Sequence, residues 1–101
     1  VCPVLYQNYP NPFSSSTAIS FNLATDLCRL PQIRIYNIKG QLIRSLECGE
    51  SLSAKAPMYG DYSILWDGKD ENGKQLSNGI YFYKLSIGNT VVDIKKCLLL
   101  Q

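Results

Sequence analysis

The 101-residue chain contains no histidine. That absence removes the side chain that exchanges protons near neutral pH, and with it the histidine-based triads of acyl transfer. A zinc site is left without its usual nitrogen ligand, and the cysteines Cys2, Cys28, Cys48 and Cys97 form no Cys-x-x-Cys pair to compensate. Charge of one sign is also lacking. Ten Lys and Arg stand against eight Asp and Glu, spread along the chain, so there is no basic tract for a nucleic-acid backbone and no acidic tail. No apolar run approaches the roughly 20 residues of a membrane-spanning helix. Neither nucleic-acid binding nor membrane insertion is expected. The chain opens on Val1 without a basic-then-apolar leader, which suits a processed product or an excised piece of a longer protein.

What is present is apolar mass for one core: 46% of residues are hydrophobic and 11% aromatic, enough for a single compact domain. Pro10 and Pro12 in Tyr9-Pro10-Asn11-Pro12 forbid helix there and leave an extended or turning lead-in, placed at residues 1–16. From Thr17 onward, Ile19, Phe21 and Leu23 alternate with Ala18, Ser20 and Asn22, the period of a strand with one buried face. A second strand is expected over 32–37, followed by a hairpin through Gly40. A three-residue loop there, with Gly40 left-handed, pairs Asn37 with Gln41 and Ile35 with Ile43, keeping apolar against apolar.

Residues 50–57 are polar or small and suit a crossing between sheets; Tyr59 to Trp66 resumes strand character. Asp67 to Gly79 is dense in Gly, Asn and Asp and reads as a long ordered turn. After it comes the strongest strand signal, IYFYKLSI, and a two-residue turn at Gly88-Asn89 that pairs Leu85 with Val92, Lys84 with Asp93 and Tyr83 with Ile94. No helical period persists for three turns, while short strands recur about every 10 residues. The expected fold is an all-β antiparallel sandwich of about seven strands over residues 17–101, a small barrel being the alternative.

With a domain this small, the even cysteine count points to disulfides and so to an oxidising, extracellular place, the alternative being four buried thiols. Extending the Gly40 hairpin to its open end levels Cys28 with Cys48, which leaves Cys2 for Cys97; two other pairings stay open. Catalysis is not expected. Asp67, Asp70 and Glu71 sit in a turn where carboxylates cap backbone N–H groups, and their spacing fits a calcium loop poorly. Tyr81, Phe82 and Tyr83 read as core and sheet-face aromatics rather than as a stacking platform.

Taken together, LYQNYPNPF (Leu5 to Phe13), IRIYNIKGQLIRSL (Ile33 to Leu46), YSILWDGKDENGKQLSNGIYFYKL (Tyr62 to Leu85) and the terminal DIKKCLLL are similar to one family. The chain resembles the C-terminal sorting domain of proteins exported by the type IX secretion system of Bacteroidetes and related bacteria, and also the immunoglobulin-like domain of flagellar hook-capping proteins. The resemblance covers about Leu5 to Leu100. It implies an immunoglobulin-like sandwich without cofactor, carried on a secreted protein, read by outer-membrane export machinery and a sortase, and destined for the cell surface. By position the recognition elements would be Gly79, Tyr81, Tyr83, Lys95 and Lys96; the family's lead-in matches Asn8 to Phe13, of which Tyr9, Pro10, Asn11, Pro12 and Phe13 would serve as lead-in or assembly residues. The four cysteines depart from the family pattern. They leave a second reading open: a mature subunit of an extracellular fibre or surface layer that assembles with copies of itself by strand addition or disulfides.

Overall fold

The computed structural model describes residues 4–23, 31–47 and 60–101. Among the described residues seven strands run in chain order: β1 (Val4–Leu5), β2 (Thr17–Leu23), β3 (Pro31–Tyr36), β4 (Leu42–Glu47), β5 (Gly60–Trp66), β6 (Gly79–Ile87) and β7 (Thr90–Leu99). They form two antiparallel sheets, β1-β2-β5 and β4-β3-β6-β7. No helix occurs among the described residues.

Alternation decides which side of each strand is buried. In β2 the side chains of Thr17, Ile19 and Phe21 are buried, and in β3 those of Pro31, Ile33 and Ile35. Tyr81, Tyr83 and Leu85 supply the inner face of β6, and Trp66 closes the core with no exposed surface. Each large side chain so buried contributes on the order of 1.5–3 kcal/mol.

Two hairpin registers differ from those expected, for one reason. At the first, Gly40 has φ of 84° and the Asn37 amide donates to the Gln41 carbonyl, as the three-residue loop requires. Ile35 nevertheless faces Arg44, not Ile43, because Ile43 is an extra bulged residue between the Tyr36↔Leu42 and Ile35↔Arg44 pairs. Without the bulge, Ser45 would stand opposite Ile33 on the core side; with it, the buried Leu46 does. At the second, Ile87 and Thr90 flank the Gly88-Asn89 turn, but Val92 bulges, so Leu85 faces Asp93, Lys84 faces Ile94 and Tyr83 faces Lys95. The expected register would have put Lys96 on the core side opposite Tyr81; the bulge puts Cys97 there.

Cys97 is a free, buried thiol, and Cys2, the partner expected for it, lies outside the described residues. It faces the core across from Tyr81, and burial pushes its thiol up to about 12. Cys2, Cys28 and Cys48, and with them the expected Cys28–Cys48 bridge and the 50–57 crossing, lie outside the described residues.

Candidate functional site

The lead-in is built into the sandwich. Beyond the β1–β2 pairing, the Tyr9 and Ala18 backbones exchange two hydrogen bonds, and the chain turns through two cis peptides, Tyr9-Pro10 and Asn11-Pro12. It then runs beside β7. The Phe13 amide donates to the Leu98 carbonyl (3.0 Å) and the Leu100 amide to the Phe13 carbonyl (2.9 Å), a parallel bridge. Asn11 Oδ1 accepts from the Leu98 amide, and Gln7 Nε2 donates to the Lys96 carbonyl. The outer edge of β7 from Lys96 to Leu100 is thereby paired, which removes a strand edge open to other chains.

Polar groups buried beneath the lead-in satisfy one another. The Tyr83 hydroxyl accepts from the Asn8 amide and donates to the Tyr6 carbonyl, both at 2.8 Å. Asn8 Nδ2 donates to Thr17 Oγ1 (2.9 Å), which in turn donates to the Pro10 carbonyl (2.8 Å). Asn8 and Thr17 are nearly as buried as the core, and burial pushes the Tyr83 phenol up to about 12.

Phe13 continues this union into the core. Its ring lies 5.4 Å from that of Trp66, which also meets Tyr81 edge-on at 5.8 Å. Gly68 makes the packing possible: its φ is 74°, and a Cβ there would stand 3.4 Å from the Phe13 ring and 3.2 Å from Gln75 Nε2. Trp66 Nε1 donates to the Lys69 carbonyl, inside the Asp67–Gly79 turn. The turn's carboxylates are engaged with this chain: Asp67 Oδ1 with Arg44 and the Lys69 amide, Asp70 Oδ1 with the Asn72 and Lys74 amides. Glu71 accepts from the Ser45 amide and its own amide donates to the Ile43 carbonyl, so the turn covers the bulged edge of β4.

The residues expected to act in recognition therefore divide. Tyr81 and Tyr83 face inward; the Tyr81 hydroxyl donates to the Ser77 carbonyl at 2.6 Å. Gly79 has a φ of 151°, outside the ordinary L-residue range. Lys95 is half-buried and pairs with Asp93 at 3.7 Å, while Lys96 is exposed. In the lead-in, Phe13 is an anchor, whereas Tyr9 is 80% exposed and Pro10, Asn11 and Pro12 line the surface. Asn8, Thr17 and Trp66 are structural centres that the expected site did not include. For Trp66 the signal was present in its Trp-Asp-Gly context; for Asn8 and Thr17 a polar residue gives no sign of burial.

A family model described as the FlgD Ig-like domain matches residues 11–90. No curated protein sequence matches the chain. Among solved structures, dimeric latent PorU from Porphyromonas gingivalis is similar with a TM-score of 0.79 and 22% identity, over 99% of this chain and 10% of that one. PorZ, described as an essential bacterial surface component of the type-IX secretion system of P. gingivalis, is similar at 0.59 and 15%, over 96% and 11%. Truncated FlgD from Helicobacter pylori is similar at 0.62 and 15%, over 98% and 67%. The chain thus spans about a tenth of the PorU and PorZ chains; these likenesses concern the fold, which the family model gives as immunoglobulin-like.

Proposed function

This chain belongs to the FlgD Ig-like domain family, and on that premise we propose that it is a non-catalytic sorting and anchoring module. It is carried by a larger secreted protein, is read by the outer-membrane type IX secretion machinery and its sortase, and brings its cargo to the cell surface. One observation carries the reading. The motifs on which the sorting-domain resemblance rests, the Asn8 to Phe13 lead-in, the Trp66-Asp67-Gly68 turn and the Gly79 to Tyr83 strand, converge through Phe13, Trp66, Tyr81 and Tyr83 on the last strand. Similarity to a surface component of a type-IX secretion system supports the same direction.

A reporter fused ahead of residues 1–101, in a bacterium with active type IX secretion, tests it. Reporter activity is expected at the cell surface or in the medium. A distribution equal to that of the reporter without the domain refutes the reading. In the fibre-subunit alternative, the lead-in or Cys97 would have to leave its own chain to take part, since both are engaged or buried within it here.

A further inference from the structure

The two outward faces of the sandwich differ in composition. The β1-β2-β5 sheet turns Ala18, Ser20 and Asn22 outward along its middle strand, with Val4, Ser63 and Leu65 on its flanking strands. Apolar side chains stand out here too, Val4, Tyr6 and Leu65 among them, but none of the three strands contains a Lys or Arg. The β4-β3-β6-β7 sheet is different. One register row across it reads Leu42, Tyr36, Phe82 and Lys96, and the next reads Ser45, Arg34, Lys84 and Ile94. Ile80 beside Leu98 extends the face at one end, and Ser86 beside Val91 at the other.

Leu42, Ile80, Val91 and Ile94 are 41–54% exposed, so apolar side chains stand in solvent in all these rows. The second bulge places Ile94 there: the register without it would have turned Ile94 towards Tyr83. Three cations lie among them. The Lys84 ammonium sits 5.0 Å over the Tyr36 ring, and the Tyr36 phenol is held below its usual value by hydrogen bonding to Lys84, with Arg34 adding to the effect against burial. The two central rows carry no carboxylate; Glu47 belongs to the end row that Gln32, Ser86 and Val91 continue. Asp93 is engaged with Lys95 and the Ile94 amide.

We propose that this outer face docks another protein, one whose contacting surface carries carboxylates among apolar side chains. The inference holds whether or not the domain is a sorting module. Charge selects the partner. A second copy docking the same face would bring cations against cations, since an isologous contact must be self-complementary. A lipid surface is commonly recognised by four to eight clustered Lys and Arg, whereas here three are dispersed among apolar side chains flush with a sheet. Size sets the strength. Four strands and about six residues of length span roughly 14 by 20 Å, a patch of about 300 Å², the scale of a functional surface patch. That falls short of the ~800 Å² per partner of a stable complex, so the contact is transient.

The test uses the whole chain, ¹⁵N-labelled, titrated with a random glutamate–tyrosine copolymer, with polyglutamate, and with phosphatidylglycerol vesicles. The copolymer is expected to shift the amides of Tyr36, Phe82, Lys84 and Ile94 and to leave Ser20 and Ser63 unmoved. Joint Lys84→Glu and Lys96→Glu exchange is expected to weaken binding at least tenfold. Leu42→Ser and Ile94→Ser, at half-exposed positions that leave the core intact, should weaken it severalfold, and Leu65→Ser on the other sheet should not, with melting curves verifying the fold of each variant. The proposal is overturned if the copolymer shifts nothing on this face, or if polyglutamate binds as tightly. Tighter binding of vesicles at the same amides assigns the face to lipid and overturns it as well.

Discussion

Replacing Tyr83 by Phe keeps the ring and removes one oxygen, so its consequences follow from two hydrogen bonds. The hydroxyl accepts from the Asn8 amide and donates to the Tyr6 carbonyl. Tyr6 is largely exposed, and its carbonyl can turn to water. The Asn8 amide lies beneath the lead-in on a residue 3% exposed, and an orphaned buried donor costs about 1–3 kcal/mol. We expect a loss of about 2 kcal/mol, which for a domain of this size lowers Tm by roughly 8 °C or more. Tyr81→Phe is the internal comparison: it also loses one hydroxyl, but the Ser77 carbonyl that received it belongs to an exposed residue, so about 1 kcal/mol is expected. Urea unfolding followed by the fluorescence of Trp66, the only tryptophan and fully buried, reads both. Hydrogen exchange should quicken at Asn8 and Phe13 in Tyr83→Phe and stay unchanged there in Tyr81→Phe. Equal losses in the two variants, or a larger loss without faster exchange in the lead-in, would refute the view that Tyr83 fastens this segment.

Phe13→Ala should cost about 3–5 kcal/mol as a cavity opens against Trp66; a change below 1 kcal/mol in the urea midpoint analysis would show that Phe13 does not anchor the core. Gly68→Ala meets a positive φ together with the Phe13 ring, and more than about 1 kcal/mol should be lost, with an unchanged melting curve as the contrary result. Tyr83 and Cys97 both have folded-state values raised to about 12, from ordinary values of 10.0 and 9.0. The unfolded chain releases these protons first, so stability that is full below pH 9 falls between pH 9 and 12, less so in Tyr83→Phe; a flat urea midpoint from pH 8 to 11.5 contradicts this. Buried and protonated, Cys97 should resist alkylation at pH 8 in the native protein and react fully in urea, as read by peptide mass at that cysteine; equal rates would place it at the surface.

The alternation of Thr17, Ile19 and Phe21, or of Ile33 and Ile35, was legible because a period of two is enforced along the whole strand by one buried face. The hairpin tips were legible too, since Gly40 and Gly88-Asn89 carry the required turn chemistry. The bulges were hidden. Apolar pairing near the tip favours Ile35 with Ile43 and Tyr83 with Ile94, and the contrary demand lies farther along, where Leu46 and Cys97 must face the core in place of Ser45 and Lys96. Register is a property of the full strand, and a test confined to its first pair misses an insertion. Burial of Asn8 and Thr17 was hidden for another reason: their partners, the Tyr83 hydroxyl and the Pro10 carbonyl, lie 75 and 7 residues away.

This division also alters what the recognisable motifs mean. Phe13, Trp66, Tyr81 and Tyr83 are inaccessible to any partner in the folded state, yet they are the residues that make the sequence look like a sorting domain. Their constraint is mutual: the lead-in needs Tyr83 for the Asn8 amide, Phe13 needs Trp66 and the bare Cα of Gly68, and β7 needs the lead-in to cover its edge. A partner that reads the folded domain must read what this arrangement presents, and it presents the outer face of β6 and β7, where Phe82, Lys84, Ile94 and Lys96 alternate with the buried set. Sequence pattern then identifies the scaffold, while selectivity among partners resides in the intervening positions.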